Sequence, residues 1–395
     1  RLHFSHNQDF TSTTNLRETG NPMKPKLGIL LAVALALLAG LLPTLSCQNS
    51  SATGDANPTA NEMSPEFAAR LGQDDGFALA LLFGADVQGN LKDCGCPKHP
   101  QGGIAWRMGY AEGLKKLAPD AAIVQLDAGR MFANSVGYIQ PYDRVRNEWM
   151  LRAYGEAGFA AANASYFDVQ MLAELLHKSE YETKRQTFPF LTRIVSANIR
   201  PTKPELMPLP AYVIETVESK RLPKPVRLGI TGVTMANPNP GAETLNFAIE
   251  DPAEALKRVL PELRAKSDFV IVMSYGPEAQ TDKITKVPGI DLVVVANNLG
   301  AMILQVQKVN DVSVVQAFSQ TKLLGDLRFY YGPDGQVSQM RLSMPSLDKD
   351  IPKSQRWEQM VADAQKAIDE AMKAVASAPP AEPAGPPVSS PPPTQ

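Results

Sequence analysis

Short, strongly apolar runs recur along this chain at intervals filled by helical patterns, and that alternation restricts the fold more than any other feature. The runs are FALALLF (Phe77–Phe83), AAIVQL (Ala121–Leu126), VRLGITGV (Val226–Val233), DFVIVM (Asp268–Met273) and IDLVVV (Ile290–Val295). All are too short for a buried helix, so they predict strands covered on both faces. Between them, IAWRMGYAEGLKKL (Ile104–Leu117) and PAEALKRVLPELRAK (Pro252–Lys266) repeat apolar residues at three and four, the helical period, with Pro261 interrupting the second. Strand and helix in alternation predict an α/β fold with helices on the faces of its sheet. From Val312 to Leu342 the chain reads VSVVQAF, LGDLRFYY, GPDGQ and VSQMRL. That is strand, strand, turn, strand, and it predicts antiparallel hairpin strands near the C-terminal end.

The N-terminal part belongs to a different class. Met23 opens MKPKLGILLAVALALLAGLLPTLSC, two lysines followed by an apolar run and small residues before Cys47. This is the pattern of a secretory signal over 23–46, which leaves 1–22 as an unstructured upstream extension. A small residue followed by Cys at the end of such a run resembles a bacterial lipoprotein signal, with Cys47 as the lipidated residue; cleavage near an Ala or Ser, or an uncleaved anchor, stays open. The polar Ser-, Ala-, Asn- and Pro-rich residues 47–75 are expected to form a flexible tether. At the other end, 352–378 predicts an amphipathic helix whose face carries Trp357, Val361, Ala364, Ile368, Met372 and Val375, either docked on its own domain or offered to a partner. Residues 379–395 form a Pro-rich tail expected to be disordered.

With 39 Lys and Arg against 41 Asp and Glu, a formal net charge of −2, the chain has no broad basic field, which excludes nucleic acid as a partner. The 44% apolar content over 395 residues suffices for a sizeable core.

The segments ADVQG, GGIAWR, IVQLDAGRMF, FAAANASYFD, IVSANI, LGITGVT, FVIVMSYG, IDLVVVANN and VVQAFSQTKLLGDL follow one another along the chain. In order and spacing they resemble the N-terminal domain of secreted 5'-nucleotidases, members of the calcineurin-like metallophosphoesterases. The resemblance covers Phe77 to Ser346. It implies a domain over 76–347 with a metallophosphoesterase-like four-layer β-sandwich flanked by helices.

It also implies where a two-metal site would stand, on loops at the carboxyl ends of the strands. Such a site needs a bridging carboxylate, several imidazoles and an amide to hold two cations and activate a water. The corresponding positions here are Asp86, Gln88 in place of the first His, and Arg130 in place of the bridging Asp. The Asn-His-Glu positions fall on Asn163, Ala164 and Ser165, or one residue later, Tyr275 replaces a further His, and Asn297 and Asn298 replace Gly-His. Of the carboxylate and imidazole ligands, Asp86 alone survives. Of the four histidines, His3 and His6 precede Met23, which leaves His99 and His177, both outside the motif positions. A guanidinium stays protonated, so a bridging −1 has become +1 beside two dications, a repulsion of several kcal/mol at an effective dielectric of about 20. Arg130 is expected either to pair with Asp86 or to hold an anion directly. The nucleobase-stacking C-terminal domain of complete 5'-nucleotidases has no counterpart among these residues.

The loop after the first strand reads GADVQGNLKDCGCPKHPQGG, with Cys94 and Cys96 one residue apart and His99 close behind. The resemblance places it at the rim of the former metal site. Four readings stay open: a disulfide that staples the loop, a single divalent metal held by Cys94, Cys96 and His99, a redox-active dithiol, and an assembly contact. Asp86 is the alternative holder of a single divalent metal, and Gly102 and Gly103 are expected to allow a tight turn into the following helix.

The functional expectation is an envelope-tethered, catalytically degenerate relative of the 5'-nucleotidase domain, acting as a ligand-binding or assembly module. It would sit on the periplasmic or extracellular face, partnered by the membrane through its lipid anchor and by an envelope protein or a small anionic ligand. One alternative is an active metal-dependent phosphoester hydrolase with a reduced metal site. Another is a thiol redox or mononuclear metal-binding module using Cys94 and Cys96.

Overall fold

The computed structural model describes residues 63–134, 139–239, 241, 245–297 and 302–377. Cys47 with the signal and upstream segments, Asn298, and the tail after 377 lie outside the described residues.

One sheet is built from β1 (Leu79–Gly84), β2 (Ala122–Asp127), β3 (Phe159–Asn163) and β4 (Ile194–Val195), extended late in the chain by β13 (Gly325–Tyr331) and β14 (Val337–Ser343). Its order is β14-β13-β1-β2-β3-β4, with β1 to β4 parallel and the final hairpin antiparallel. The second sheet has the order β11-β12-β10-β9-β7-β6. It contains β6 (Tyr212–Val217), β7 (Val226–Thr234), β9 (Phe269–Tyr275), β10 (Leu292–Ala296), β11 (Gln307–Val309) and β12 (Val312–Gln316). Strands β7, β9, β10 and β12 are parallel, and β6 and β11 close the edges antiparallel. A small ribbon pairs β5 (Ile199–Pro201) with β8 (Phe247–Ile249).

The two sheets stack face to face, and the period of two along their strands decides which residue goes where. Leu79, Leu81 and Phe83 of β1 meet Leu292 and Val294 of β10 in the core between the sheets. Ala80 and Leu82 point the other way, onto Trp106, Tyr110 and Leu114 of α2 (Ile104–Leu117), with Phe67 and Leu71 of α1 (Pro65–Leu71) behind them. Beneath the second sheet Val293 and Val295 pack on Leu256, Leu260 and Leu263 of α6 (Pro252–Lys266) and Ile284 of α7 (Glu278–Ile284). Strands buried on both faces therefore read as continuous apolar runs, and the layers are helix, sheet, sheet, helix. The first sheet's outer layer is completed by α3 (Pro141–Glu156), α4 (Val169–Leu175), α5 (Lys178–Thr187) and α8 (Gln355–Ser377).

Three details differ from expectation. The tether expected over 47–75 ends before Ser64, whose side chain caps α1 by accepting from Phe67 N at 3.2 Å. Phe67 and Leu71 are buried, and Arg70 is tied to Asp348 at 2.9 Å, to Asp350 and to the Ser346 carbonyl, so this helix is part of the domain. Helix α6 runs through Pro261 without interruption. Pro261 and Lys257, whose carbonyl loses its partner, are both on the exposed side, while the buried leucines hold the other face. Helix α8 docks on the domain through Trp357, Met360, Ala364 and Ile368, but Met372 and Val375, expected on the same face, are 47% and 37% exposed. Among the described residues no helix is long and apolar enough to cross a membrane.

Candidate functional site

The parallel strands of both sheets end at one rim, and the loops that leave it carry an unusual backbone. Asp86, Gln88, Arg130 and Asn297 all adopt left-handed φ, at 60°, 52°, 59° and 56°. Non-glycine residues rarely hold this conformation unless the surroundings enforce it, and it clusters at functional sites. Here the enforcement is visible. The loop after β1 is zipped to the loop after β2 by Asp86 N to Gly129 O at 2.8 Å, Gln88 N to Arg130 O at 3.1 Å and Gly89 N to Met131 O at 2.8 Å.

At the centre of this rim stands a guanidinium. Arg130 donates from Nη1 to Asp86 Oδ1 at 3.4 Å, and its Cζ lies over the Phe167 ring, 3.9 Å from the centroid. The same Asp86 oxygen accepts from Tyr275 Oη at 3.1 Å. Tyr275 is fully buried, and burial with the adjacent carboxylate holds its hydroxyl well above the usual phenol range. Phe167 and Tyr166 meet the Tyr275 ring edge-on at 6.2 and 6.0 Å. Gly129 must be glycine: its φ is 128°, and a Cβ would stand 2.8 Å from Tyr275 Cδ2. Arg130 Nε is buried without a partner. The ion pair expected between Arg130 and Asp86 forms, with aromatic rings walling it on two sides.

The remaining mapped positions hold the scaffold together beneath this cluster. Asn163 is buried and donates from Nδ2 to Ala128 O at 3.1 Å and Val233 O at 3.0 Å, which ties the first sheet to the second. Ser165 donates from Oγ to Asp168 Oδ2 at 2.6 Å. Asp168 also accepts from the backbone of Ser165, Phe132 and Arg130 at 2.8, 2.9 and 3.2 Å, so it fixes the Arg130 loop from below. Asp127 accepts from Tyr154 Oη at 2.6 Å and Gly129 N at 2.9 Å, and its burial raises its pKa to about 7. Gln88 is half-buried at the rim, and Asn297 Nδ2 faces Met235 Sδ at 3.9 Å. Tyr166, Phe167, Asp168 and Asp127 were not singled out from sequence. The Ser165-x-x-Asp168 spacing, which lets a carboxylate reach back to the start of its own loop, is the signal that could have found the third of them.

The cysteine loop folds back on itself beside this rim. Cys94 N donates to Gln101 O at 2.9 Å and Ile104 N to Leu91 O at 2.9 Å, closing the loop at two levels. Gln101 N donates to Cys94 Sγ at 3.4 Å, and Cys94 Sγ faces His99 O at 3.9 Å. Cys94 lines a cavity of about 80 Å³ together with Val87, which stands between Asp86 and Gln88. Both thiols are free; Cys94 is half-buried, whereas Cys96 and His99 are exposed. Among the described residues no three His, Cys, Asp or Glu side chains converge as a cluster that could hold a metal ion. The geometry therefore assembles neither the expected trio of Cys94, Cys96 and His99 nor a metal site around Asp86, and a two-metal centre does not fit a rim whose central charge is Arg130.

No family model matches the chain, and no curated protein matches it. Solved structures do. The sulfate thiohydrolase SoxB of Thermus thermophilus, in complex with glycerol, superposes with a TM-score of 0.59 at 15% identity, over 74% of this chain and 61% of that one. A 5'-nucleotidase precursor from Thermus thermophilus gives 0.56 at 19% identity, over 76% and 60%. The calcineurin-like phosphoesterase YfkN of Bacillus subtilis gives 0.56 at 14% identity, over 74% of this chain and 98% of that one. The four-layer fold is thus metallophosphoesterase-like, and the chain spans about 60% of the length of the first two structures.

Proposed function

We propose that this domain keeps a metallophosphoesterase-like scaffold without its hydrolytic chemistry and serves as a binding or assembly module at the bacterial envelope. One observation carries the reading: a guanidinium, ion-paired to Asp86 and stacked on Phe167, stands where the resemblance calls for the bridging carboxylate. A permanent cation there opposes two dications, and among the described residues no three His, Cys, Asp or Glu side chains gather to hold them. Arg130 reaches Asp86 by a single 3.4 Å contact and its side chain is 26% exposed, which suits it to hold a small carboxylate or phosphate. The lysine-led apolar segment before Cys47 supports export and a lipid anchor, with an envelope protein as the second partner.

The test is hydrolysis of nitrophenyl phosphate and of nucleoside monophosphates by the purified protein, supplied in turn with Mn²⁺, Zn²⁺, Co²⁺ or Ca²⁺. Turnover at background is expected throughout. Metal-dependent turnover that Asp86→Ala abolishes would overturn the reading in favour of an active hydrolase.

A further inference from the structure

The cysteine loop carries chemistry that a binding role leaves unused. Two free thiols stand one residue apart, and they are not equivalent. Cys94 is half-buried and its sulfur accepts the Gln101 N–H at 3.4 Å, while Cys96 is exposed. Between them Gly95 takes a left-handed φ of 68°, its N–H held by Asp93 Oδ1 at 2.9 Å, and a Cβ placed on it would meet nothing within 4 Å. The turn thus presents one sulfur within a backbone cradle and the other beside open space.

We propose that Cys94 and Cys96 form a thiol–disulfide exchange site, with Cys94 as the attacking nucleophile, Cys96 as the resolving thiol, and an accessible disulfide as the substrate class. Geometry and electrostatics agree on the division of labour. Burial pushes the Cys94 thiol up, but the Cys96 and Gln101 amides and the charge of Lys322 outweigh it, against opposition from Asp93, and its pKa falls below the ordinary thiol value. Backbone N–H groups aimed at a sulfur favour the thiolate, which is the attacking form. The cavity of about 80 Å³ beside Cys94, lined also by Val87, Asn90, Lys92, Asp93 and Gln320, gives a substrate sulfur a place to approach.

The exchange balances without a further reactant. The Cys94 thiolate attacks one sulfur of the substrate disulfide; the substrate S–S bond breaks, a mixed disulfide forms, and the second substrate sulfur leaves as a thiolate that takes a proton from solvent. Cys96, giving its proton to solvent, then attacks Cys94 Sγ and expels the first substrate sulfur. Two electrons pass from the cysteine pair to the substrate, which ends as two thiols. The Cys94–Cys96 bond closes a small, strained ring, so it is readily reduced again by a dithiol.

The experiment uses the full chain, reduced and desalted, in a Cys47→Ser background so that only the loop thiols report. It is challenged with oxidised glutathione and, separately, with insulin as a protein disulfide, and products are read by intact mass and by free-thiol count. The parent should end as an internal disulfide with no adduct. Cys96→Ser should stop as a stable mixed disulfide on Cys94, and Cys94→Ser should form its adduct at Cys96 more slowly by about tenfold or more. Reaction with glutathione alone, or with insulin as well, distinguishes a small from a protein disulfide as the source. The proposal fails if the folded parent, checked by circular dichroism, reacts with neither probe, if Cys96→Ser accumulates no adduct, or if both single variants react at equal rates. None of these outcomes depends on whether Arg130 binds an anion or the domain hydrolyses phosphate.

Discussion

Tyr275 at the end of β9 and Asp86 after β1 belong to different sheets, and a 3.1 Å hydrogen bond from Tyr275 Oη to Asp86 Oδ1 joins them at the rim. Arg130 reaches the same oxygen at 3.4 Å. Tyr275→Phe should lower stability by about 1.5 to 3 kcal/mol, the net worth of a hydrogen bond to a charged group. Arg130→Ala should cost about 1 to 2 kcal/mol through the lost stacking on Phe167 and the lost partner of Asp86. Because both act on one carboxylate oxygen, the double variant should depart from the sum of the two, as measured by urea unfolding. Strict additivity would show that the shared oxygen couples nothing.

Gly232 on β7 sits against the amide that staples the sheets together. A Cβ there would stand 2.1 Å from Asn163 Oδ1. Gly232→Ala should expel Asn163 from its bonds to the Ala128 and Val233 carbonyls and destabilise the protein by roughly 2 to 4 kcal/mol. The urea midpoint checks this, and an unchanged midpoint would place Asn163 outside the stabilising contacts.

Asp127 predicts an unusual dependence on pH. Its ordinary value is 3.8, and burial raises it to about 7 in the native protein. Between those values the unfolded chain has released its proton while the native protein retains it, so stability is highest at the lower end and falls as pH rises towards 7. The slope approaches roughly 1.4 kcal/mol per pH unit. Asp168, also raised by burial, acts in the same direction. Asp268 has the opposite sign: the Arg227 guanidinium and amide hold it at about 2, so its contribution is present above 3.8 and is lost as pH falls towards 2. Urea midpoints at pH 5 and pH 8 should therefore fall with pH, and Asp127→Asn should reduce that fall.

Helix α8 should divide in two by mutation. Trp357→Ala removes a side chain 2% exposed and should cost about 3 to 5 kcal/mol. Met372→Ala, on a side chain 47% exposed, should stay within about 0.5 kcal/mol. Thermal unfolding of both variants separates the docked half of the helix from the free one.

The strands and the layering were legible because a strand covered on both faces has no choice but to be apolar throughout, as LVVVA of β10 is. The start of the domain was not, because α1 carries only Phe67 and Leu71 as buried residues and follows a polar stretch whose composition dominates any window. The continuity of α6 through Pro261 depends on which side of the helix the proline occupies, and that follows from where the sheet lies. At the rim, Asp86, Arg130 and Tyr275 were marked by the resemblance, and the structure brings the three together at the carboxyl side of β1, β2 and β9. The stacking of Arg130 on Phe167 was not legible, because it needs two loops from neighbouring strands to fold towards each other. Asn163 and Ser165 occupy rim positions in the linear pattern, yet their hydrogen bonds turn inward, and spacing alone carries no information about that direction.

Strand β1 lies between β2 and β13, so Leu79 pairs with Ala122 on one side and with Phe329 on the other. A chain emerging from the ribosome N-terminus first therefore holds its earliest strand half-paired until its last hairpin has been made. That delay leaves an open edge in the nascent chain that a holding chaperone would have to shield.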